Sequence, residues 1–307
     1  MSAPNTNLAD YILPLNMNGL SGRMLRLPAK KKSSREILLV YGHHSSIERW
    51  AGLAEYLHGF GSVTMPDLPG FGGMDPYYKI GQKPTIDALA DYLAAFVKLR
   101  YKNRRFSVIG LILGFVIVTR MLQKYPELAK KTDIVVSIVG FTNKKDFIFS
   151  KPKHMLFRYA SSFFSNRLPS AILKYIAFRP IFIRIIYKIM ANRNPKLKHA
   201  SAETRSEWVD FEIGLWRCND PRTWTETALS MMILDLPKNH IDMPVHHVAI
   251  KKDRYLDNVM VEQHMREIYS DFIVYKIKLS LHAPSVMASA ADAARYVPAQ
   301  LRNVFKT

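Results

Sequence analysis

The feature that most constrains the fold is an abrupt change of hydrophobic pattern in residues 105–121, which read RFSVIGLILGFVIVTRM. A β-branched run typical of a buried strand, residues 106–109, leads directly into a segment with the apolar spacing of a helix. Gly110 and Gly114 flank three apolar residues at the junction. A sharp turn from strand to helix needs small residues on both sides, because bulk there collides with neighbouring backbone. The sequence therefore predicts a buried strand, a tight turn and a helix.

The spacing of the two glycines matches the nucleophile elbow, G-x-S-x-G, whose central serine projects above a sheet. Ile112 occupies the central position, so the frame is present without the nucleophile. The residue at the tip of such an elbow has a positive φ, which for a β-branched residue costs on the order of 1–3 kcal/mol. Taken alone, the pattern favours an ordinary buried strand and helix over an elbow.

Length and composition favour one large core with an insertion. The chain has 307 residues, 48% of them hydrophobic, which is sufficient for one compact domain that carries an inserted segment. The single cysteine, Cys218, excludes an internal disulfide and is typical of a reducing compartment. Neither a secretory leader nor an apolar run of transmembrane length is evident, so we expect a cytoplasmic protein.

Strand-like and helix-like patterns alternate along the chain. Residues 8–28 contain the turn pairs Asn18-Gly19 and Ser21-Gly22 and predict an antiparallel hairpin. Further strands are expected at residues 36–41, 62–65, 134–139, 244–250 and 272–279, and helices at residues 47–58 and 85–99. This alternation predicts an α/β fold with a mostly parallel, doubly wound sheet. Functional residues gather beyond the carboxyl ends of the strands in such sheets.

Three loops at expected strand ends carry distinctive sequences. They are V-Y-G-H-H-S-S at residues 40–46, D-L-P-G-F-G-G at residues 67–73 and V-I-G-L-I-L-G-F at residues 108–115. In this order and spacing they resemble the α/β-hydrolase fold family, and D-L-P-G-F-G is the most specific of the three. The first resembles the family's oxyanion loop, with Tyr41 in place of the histidine of its His-Gly pair. The resemblance implies the α/β-hydrolase fold of a serine hydrolase with a helical cap.

The resemblance also implies where the catalytic triad would lie. Asp253 follows the strand expected at residues 244–250 and matches the triad acid, with Asp257 as the nearest competitor. His282 follows the last expected strand and matches the triad histidine. With Ile112 at the nucleophile position, the order along the chain is that of the family. We therefore expect Ile112 within reach of His282, and Asp253 on the far side of that imidazole.

Two backbone amides complete the site that the resemblance implies. They belong to His43 and to Leu113, and they would donate to the oxyanion of a tetrahedral intermediate. Backbone donors survive side-chain changes, so an oxyanion hole can persist without the nucleophile.

Residues 143–241 resemble the family's cap, which leaves a core built from residues 1–142 and 242–307. Residues 144–198 contain thirteen Lys or Arg and one acid, Asp146, so this half of the cap carries about +12 of the net charge of +19. Aromatic and aliphatic side chains are interleaved with these charges. The first half of the cap is therefore both strongly basic and apolar.

Two interpretations of this basic segment stay open. In residues 172–190, basic residues interrupt an apolar run, as in a helix that lies on an anionic membrane and makes a protein peripheral. The other interpretation is a cap whose apolar face packs on the core and whose lysines are solvated. Nucleic acid is not an expected partner, because no recognition motif accompanies the basic residues.

Other residue types with reactive side chains give no second site. The adjacent pairs His43/His44 and His246/His247 lack Cys or carboxylate ligands at metal spacing, so neither a metal nor a cofactor is expected. Four other residues could supply a nucleophile, namely Ser45, Ser46, Thr142 and Cys218, but none of them lies on the elbow.

Two functions follow from these observations. The first is a hydrolytically inactive binder, or pseudoenzyme, which keeps the Asp–His pair and the oxyanion loop and takes a lipophilic small molecule or ester. The alternative is an active carboxylic-ester hydrolase in which Ile112 is a substitution at the nucleophile position. The cap determines the substrate of such enzymes, and its sequence carries no transferable code.

Overall fold

One eight-stranded sheet organises the part of the chain that this computed structural model describes, residues 8–29, 35–190, 201–278, 287 and 289–306. In chain order the strands are β1 (Ile12–Met17), β2 (Leu20–Leu27), β3 (Arg35–Val40), β4 (Gly61–Pro66), β5 (Phe106–Leu111), β6 (Thr132–Ile138), β7 (Ile241–Ile250) and β8 (Tyr269–Ile277). Across the sheet they follow the order β1-β2-β4-β3-β5-β6-β7-β8.

The strands are mostly parallel, as the alternating pattern predicts. Only the β1–β2 and β2–β4 pairs are antiparallel, and the pairs from β4 through β3 to β8 are parallel. Every residue of β4 and β5 is buried, because helices cover both faces of a parallel sheet. The predicted strand at residues 106–109 is thus a central strand, and the loop that follows it lies at the sheet's carboxyl edge.

The helices of the described residues pack around this sheet or lie between β6 and β7. They are α1 (Ala51–Leu57), α2 (Ile86–Tyr101), α3 (Leu113–Lys124), α4 (Pro126–Ala129), α5 (Lys151–Phe164), α6 (Arg167–Ile172), α7 (Pro180–Met190), α8 (Ala202–Cys218), α9 (Pro221–Ile233), α10 (Asn258–Arg266), α11 (Ala290–Ala293) and α12 (Ala299–Lys306). A π-helical turn, Leu173–Ala177, continues α6. None of the described helices combines the length and the apolarity needed to cross a bilayer.

The N-terminal hairpin shows which of its two turn pairs makes the turn. Asn18 and Gly19 have φ values of 53° and 77° between β1 and β2, the positive values that a tight hairpin turn requires. Ser21 and Gly22 lie inside β2 instead, so their interpretation as a turn is wrong. An added Cβ at Gly22 would lie 2.0 Å from the sulfur of Met74, which explains this glycine by close packing.

The last two strands begin earlier than the sequence predicts. β7 starts at Ile241, because its first residues pair with β8 through a register shift before Pro244. Proline has no amide hydrogen to donate to a neighbouring strand, so it is typical of the first residue of a strand, and the sequence pattern therefore predicts a start at Pro244. β8 starts at Tyr269 rather than at residue 272 and ends at Ile277.

The segment between β6 and β7 is helical in its described residues. Two isolated bridges, Asn143–Asp235 and Phe147–Leu256, join its ends to each other and to the loop after β7. The backbone adds two hydrogen bonds near the first bridge, from Lys144 to Leu234 and from Leu236 to Thr142. The division of the chain into a core and a cap stays an interpretation of this arrangement.

Candidate active site

The elbow geometry expected at Ile112 is present. This residue lies between β5 and α3 with φ 53° and ψ −116°, so the positive φ predicted for the tip of the turn is confirmed. Its amide donates to the carbonyl of Ile138 at 3.1 Å, and its carbonyl accepts from the amide of Phe115 at 3.1 Å. Hydrogen bonds on both sides hold a β-branched residue in a conformation that such residues rarely adopt.

The two glycines of the elbow are required by close backbone contacts. A Cβ at Gly110 would lie 2.4 Å from the Cα of Phe115, at the start of α3. One at Gly114 would lie 2.2 Å from the carbonyl oxygen of Val40 and 2.4 Å from that of Tyr41. The helix after the turn therefore rests directly on the end of β3, and only glycine permits this approach.

The loop after β3 lies against the elbow. A Cβ at Gly42 would lie 2.6 Å from the carbonyl oxygen of Leu111 and 2.9 Å from the amide nitrogen of Leu113. In the described part of the chain, neither the amide of His43 nor that of Leu113 donates a hydrogen bond. The role of these two amides as a pair of oxyanion donors stays a prediction.

Tyr41, which stands where the family has histidine, belongs to a buried polar network. Its hydroxyl donates to Oδ1 of Asp67 at 2.7 Å and accepts from the amide of Leu68 at 3.1 Å. Nε of Arg23 donates to Oδ2 of the same carboxylate at 3.0 Å. Burial raises the pKa of Asp67 to about 7, while Arg23 and Tyr41 act in the opposite direction. The network joins the loop after β3 to the D-L-P-G-F-G loop and to the hairpin.

The sequence analysis did not predict the network of Arg23, Tyr41 and Asp67, although the sequence contains one of its consequences, the glycine at position 72. Gly72 has φ 61°, and a Cβ at this position would lie 2.0 Å from Oδ1 of Asp67. The glycine-rich end of the D-L-P-G-F-G-G motif is therefore shaped by the carboxylate at its beginning. Arg23, on β2, also donates to the carbonyl of Gly72 at 2.7 Å. It therefore bridges Asp67 at the beginning of the loop and Gly72 near its end.

His43 and His44 face the helical segment rather than the elbow. Nε2 of His43 donates to the carbonyl of Trp224 at 2.8 Å, and burial lowers the pKa of His43 to about 3. Nε2 of His44 donates to Oε2 of Glu212 at 3.1 Å, and its ring lies 4.1 Å from that of Trp216. Both imidazoles therefore serve to position helices α8 and α9 over the loop.

The candidate acid lies in the loop after β7. Oδ1 of Asp253 accepts from the amides of Tyr255 at 2.8 Å and Leu256 at 3.2 Å, which fixes the turn. The competing Asp257 caps α10 by accepting from the amide of Val259 at 2.9 Å. Both carboxylates therefore accept from backbone amides of the residues that follow them, and the choice of Asp253 as the acid stays a prediction. His282 lies outside the described residues, so the expected distances among Ile112, His282 and Asp253 also stay predictions.

The substitute nucleophiles considered in the sequence are engaged elsewhere or buried. The hydroxyl of Ser45 accepts from Nε1 of Trp50 at 2.7 Å. Burial raises the pKa of Cys218 to about 11, the opposite of the shift that activates a thiol. Thr142 is buried, and its hydroxyl has no hydrogen-bond partner among the described residues. These surroundings give no support to a replacement for the elbow serine.

A cavity of about 550 Å³ opens beside these loops but does not reach the elbow residue. Charged and apolar groups line it, among them Arg23, Ser46, Glu48, Gly72, Phe211 and Leu215. It is thus formed by the D-L-P-G-F-G-G loop, the loop after β3 and helix α8. Ile112 is not part of its wall, so this cavity marks a neighbouring space and not the elbow itself.

Asp146, the one acid in the basic segment, has a structural role that sequence reasoning missed. Its carboxylate accepts from the amides of Thr142 at 2.9 Å and Asn143 at 3.0 Å, and Nδ1 of His264 pairs with its other oxygen. Asn143 in turn accepts from the amide of Lys145 at 3.0 Å, which makes a capping box. The sequence signal for this capping box is Asn143 followed three residues later by an acid.

In the described residues there is no group of three or more metal-ligating side chains.

Solved structures share this architecture at low sequence identity, whereas no family model and no curated protein sequence matches the chain. A thermophilic esterase from Thermogutta terrifontis is 16% identical with a TM-score of 0.63, covering 95% of this chain and 98% of its own. MGS-M2, an α/β-hydrolase enzyme from a Medee basin deep-sea metagenome library, is 14% identical with a TM-score of 0.61, covering 93% and 96%. A membrane phospholipase A, described as a bacterial virulence factor, is 15% identical with a TM-score of 0.61, covering 96% and 84%. At such identities the similarity concerns the fold.

Proposed function

We propose that this chain, which has the α/β-hydrolase fold, is a hydrolytically inactive protein that binds a lipophilic small molecule or ester at the elbow. The observation that carries the proposal is the geometry of Ile112, which holds the backbone conformation of the nucleophile position without a nucleophilic atom. Its hydrocarbon side chain offers nothing that an acyl group could be transferred to. Acyl-enzyme chemistry therefore has no first step at this residue.

Binding needs less than catalysis, and the groups that binding would use are retained. The amides of His43 and Leu113 lie in loops that touch each other, and neither is satisfied within the described residues. A carbonyl or carboxylate oxygen is the natural acceptor for two such donors. A ligand with one such oxygen and an apolar body would fit donors set beside a hydrocarbon side chain.

The aromatic side chains next to the oxyanion loop support an apolar ligand. Phe178 stacks on Trp216 with ring centroids 3.6 Å apart, and Trp216 meets Trp224 edge-on at 5.2 Å. The ring of His43 lies 5.3 Å from that of Trp224. This aromatic cluster, Phe178, Trp216 and Trp224, therefore stands directly above the loop that carries one of the two amides.

The test combines a covalent probe with a gain of function. The unmodified protein is expected to stay unlabelled by a fluorophosphonate, because that probe needs a nucleophile activated by an adjacent base. Ile112→Ser is expected to become labelled and to show a burst with a nitrophenyl ester. The matched control is Ile112→Ala, which removes the same β-branched bulk without adding a hydroxyl and should show neither response.

The outcomes separate the two functions. Labelling of the unmodified protein contradicts the proposal and favours an active hydrolase with a nucleophile elsewhere. A burst from Ile112→Ser that disappears in Ile112→Ser/His282→Ala assigns the histidine and agrees with the proposal, because the unmodified protein is then inactive for lack of the serine. A silent Ile112→Ser together with saturable binding of a medium-chain ester supports a binder whose catalytic groups have drifted. Absence of any such binding contradicts the proposal.

A further inference from the structure

Exposed apolar side chains are concentrated in one region of the molecule. Of the twenty large hydrophobic residues with an exposed surface in the described chain, fifteen lie between residues 148 and 189. That interval contains α5, α6, the π-helical turn and most of α7, which together we call the outer helical surface (residues 148–190). Monomeric proteins seldom expose large apolar surfaces without a partner for them.

Helix α7 shows the arrangement most clearly. Ile183 is buried, with 3% of its surface exposed, so one side of the helix packs inward. Ile181, Ile185 and Ile189 recur every four residues, which places them in one row along the helix. They are 64%, 46% and 68% exposed. The helix is therefore apolar on its inner side and again on a row that faces solvent.

Helix α5 repeats this pattern. None of its residues is buried, although it packs against α9. Leu156, Tyr159 and Phe163 recur at intervals of three and four residues, and all three are exposed. For Phe163, the exposed fraction is 59%. Two separate helices thus direct rows of large apolar side chains away from the protein.

The same surface carries eight basic residues and no acid of its own. Residues 147–190 contain no Asp or Glu. Their basic residues are Lys151, Lys153, Arg158, Arg167, Lys174, Arg179, Arg184 and Lys188. The preceding acid, Asp146, is buried and paired with His264, so it does not offset these charges at the surface. Arg184 reaches an acid outside the surface, Asp210 on α8.

Rows of exposed isoleucine and aromatic residues bordered by Lys and Arg match the interface of a bilayer. Apolar side chains enter the boundary between headgroups and acyl chains, while long basic side chains extend to the phosphates. Helix α7 has 11 residues and a length of about 16 Å. That is about half of a hydrocarbon core of roughly 30 Å, so α7 fits in the plane of the interface.

We propose that the outer helical surface docks onto a bilayer that contains anionic lipids. Charge complementarity selects this occupant, since a second copy of the chain would bring two acid-free basic surfaces into contact. The apolar rows supply the insertion and the basic residues supply the preference for anionic headgroups. This docking surface is distinct from the elbow and does not depend on the function proposed for it.

The first measurement uses the unmodified protein and vesicle flotation. Vesicles of phosphatidylcholine alone are compared with vesicles that contain about 30% phosphatidylglycerol, at about 50 and 500 mM salt. We expect binding at least about tenfold stronger to the anionic vesicles, and a large loss at high salt because exposed charges are screened. Equal binding to both vesicle types, or no binding to either, overturns the proposal whatever the variants show.

The second measurement tests the apolar row against a matched set of exposed residues. Ile181→Ser/Ile185→Ser/Ile189→Ser is expected to lose at least about tenfold in vesicle affinity, because insertion of apolar side chains contributes to interfacial binding. The control, Leu99→Ser/Ile233→Ser/Val259→Ser, removes exposed apolar side chains elsewhere and should change affinity less than about twofold. Equal losses in the two triple variants would contradict the proposal. Thermal unfolding of both variants checks that the fold is intact.

The third measurement separates charge from insertion. Lys174→Gln/Lys188→Gln is expected to lose about fivefold per removed charge, or about 25-fold in total, for anionic vesicles at low salt. Lys83→Gln/Lys130→Gln removes the same charge from exposed positions outside the surface and should have little effect. A concentration-dependent dimer that the triple isoleucine variant abolishes, in a protein that ignores vesicles, would instead identify a second copy as the occupant and overturn the proposal.

Discussion

Phe115 and Phe163 are the same residue type in two regions of one chain, and they are used in opposite ways. Phe115 lies in the first turn of α3, after the elbow, and is completely buried, whereas Phe163 on α5 is 59% exposed. Around Phe115, packing is so close that glycines are required at positions 110 and 140. Around Phe163, several other large apolar side chains also face solvent. The apolar content of a segment therefore does not distinguish a segment that packs in the core from one that exposes an apolar surface.

The largest contrast should come from truncating these two phenylalanines. Phe115→Ala removes a fully buried ring at the base of the elbow and is expected to lower the free energy of unfolding by about 3–5 kcal/mol. Phe163→Ala leaves no cavity and should change it by less than about 0.5 kcal/mol. Urea unfolding followed by circular dichroism gives both values. Similar losses in the two variants would show that α5 is packed in solution.

A second contrast concerns two tyrosines. Tyr41→Phe removes the hydroxyl that donates to the buried carboxylate of Asp67, and should cost about 1.5–3 kcal/mol, as for hydrogen bonds to charged groups. Tyr159→Phe removes an exposed hydroxyl from α5 and should be neutral within about 0.5 kcal/mol. Chemical denaturation at about pH 8.5, where a carboxyl group with a pKa of about 7 is charged, measures the difference. If Tyr41→Phe is neutral, the free energy gained from this hydrogen bond only balances the cost of removing its polar groups from water.

The core should also make stability depend on pH through His247. Burial lowers the pKa of His247 from 6.5 to about 3, so the folded protein keeps the ring neutral when the unfolded chain would protonate it. Its contribution is complete above pH 6.5 and is lost as pH falls toward 3, at about 1.4 kcal/mol per pH unit.

The variant His247→Gln should have a shallower slope of unfolding free energy between pH 6 and 4, by about that amount. His43, which has a similarly lowered pKa, keeps part of the slope in the variant. Denaturation curves across this range provide the measurement, and parallel slopes for the two proteins would contradict the assignment.

The smallest effect is expected at the elbow itself. Ile112→Ala loses the contacts of a partly buried side chain but removes the β-branch that makes a positive φ especially unfavourable, so the net change should stay within about 1 kcal/mol. Ile109→Ala, a few residues earlier in buried β5, has no such relief and should cost about 2–5 kcal/mol. Equal losses at the two positions would mean that the elbow backbone is not strained.

Much of this fold follows from sequence patterns, and the α/β-hydrolase fold expected from three loop motifs is confirmed. The strand before the elbow, the positive φ of Ile112 and the need for Gly110 and Gly114 all follow from local sterics. Local rules act within a few residues, so they place an elbow accurately.

What the sequence did not reveal depends on distant partners. The bond between Tyr41 and Asp67 spans 26 residues, and the pair of Asp146 and His264 spans 118. No spacing rule reaches so far. Similarly, helical spacing shows that Ile181, Ile185 and Ile189 share one row, but it does not tell whether that row meets a core or solvent.

The two ends of the segment between β6 and β7 lie side by side, as the bridge between Asn143 and Asp235 shows. A segment closed in this way can lengthen, shorten or change its surface while the strands on either side keep their register. The outer helices that it contains can therefore acquire a new surface without changing the register of the strands that position the elbow. The sequence of this segment can therefore change at a rate different from that of the sheet, and a chimaera with the segment of another such protein would be joined at this bridge.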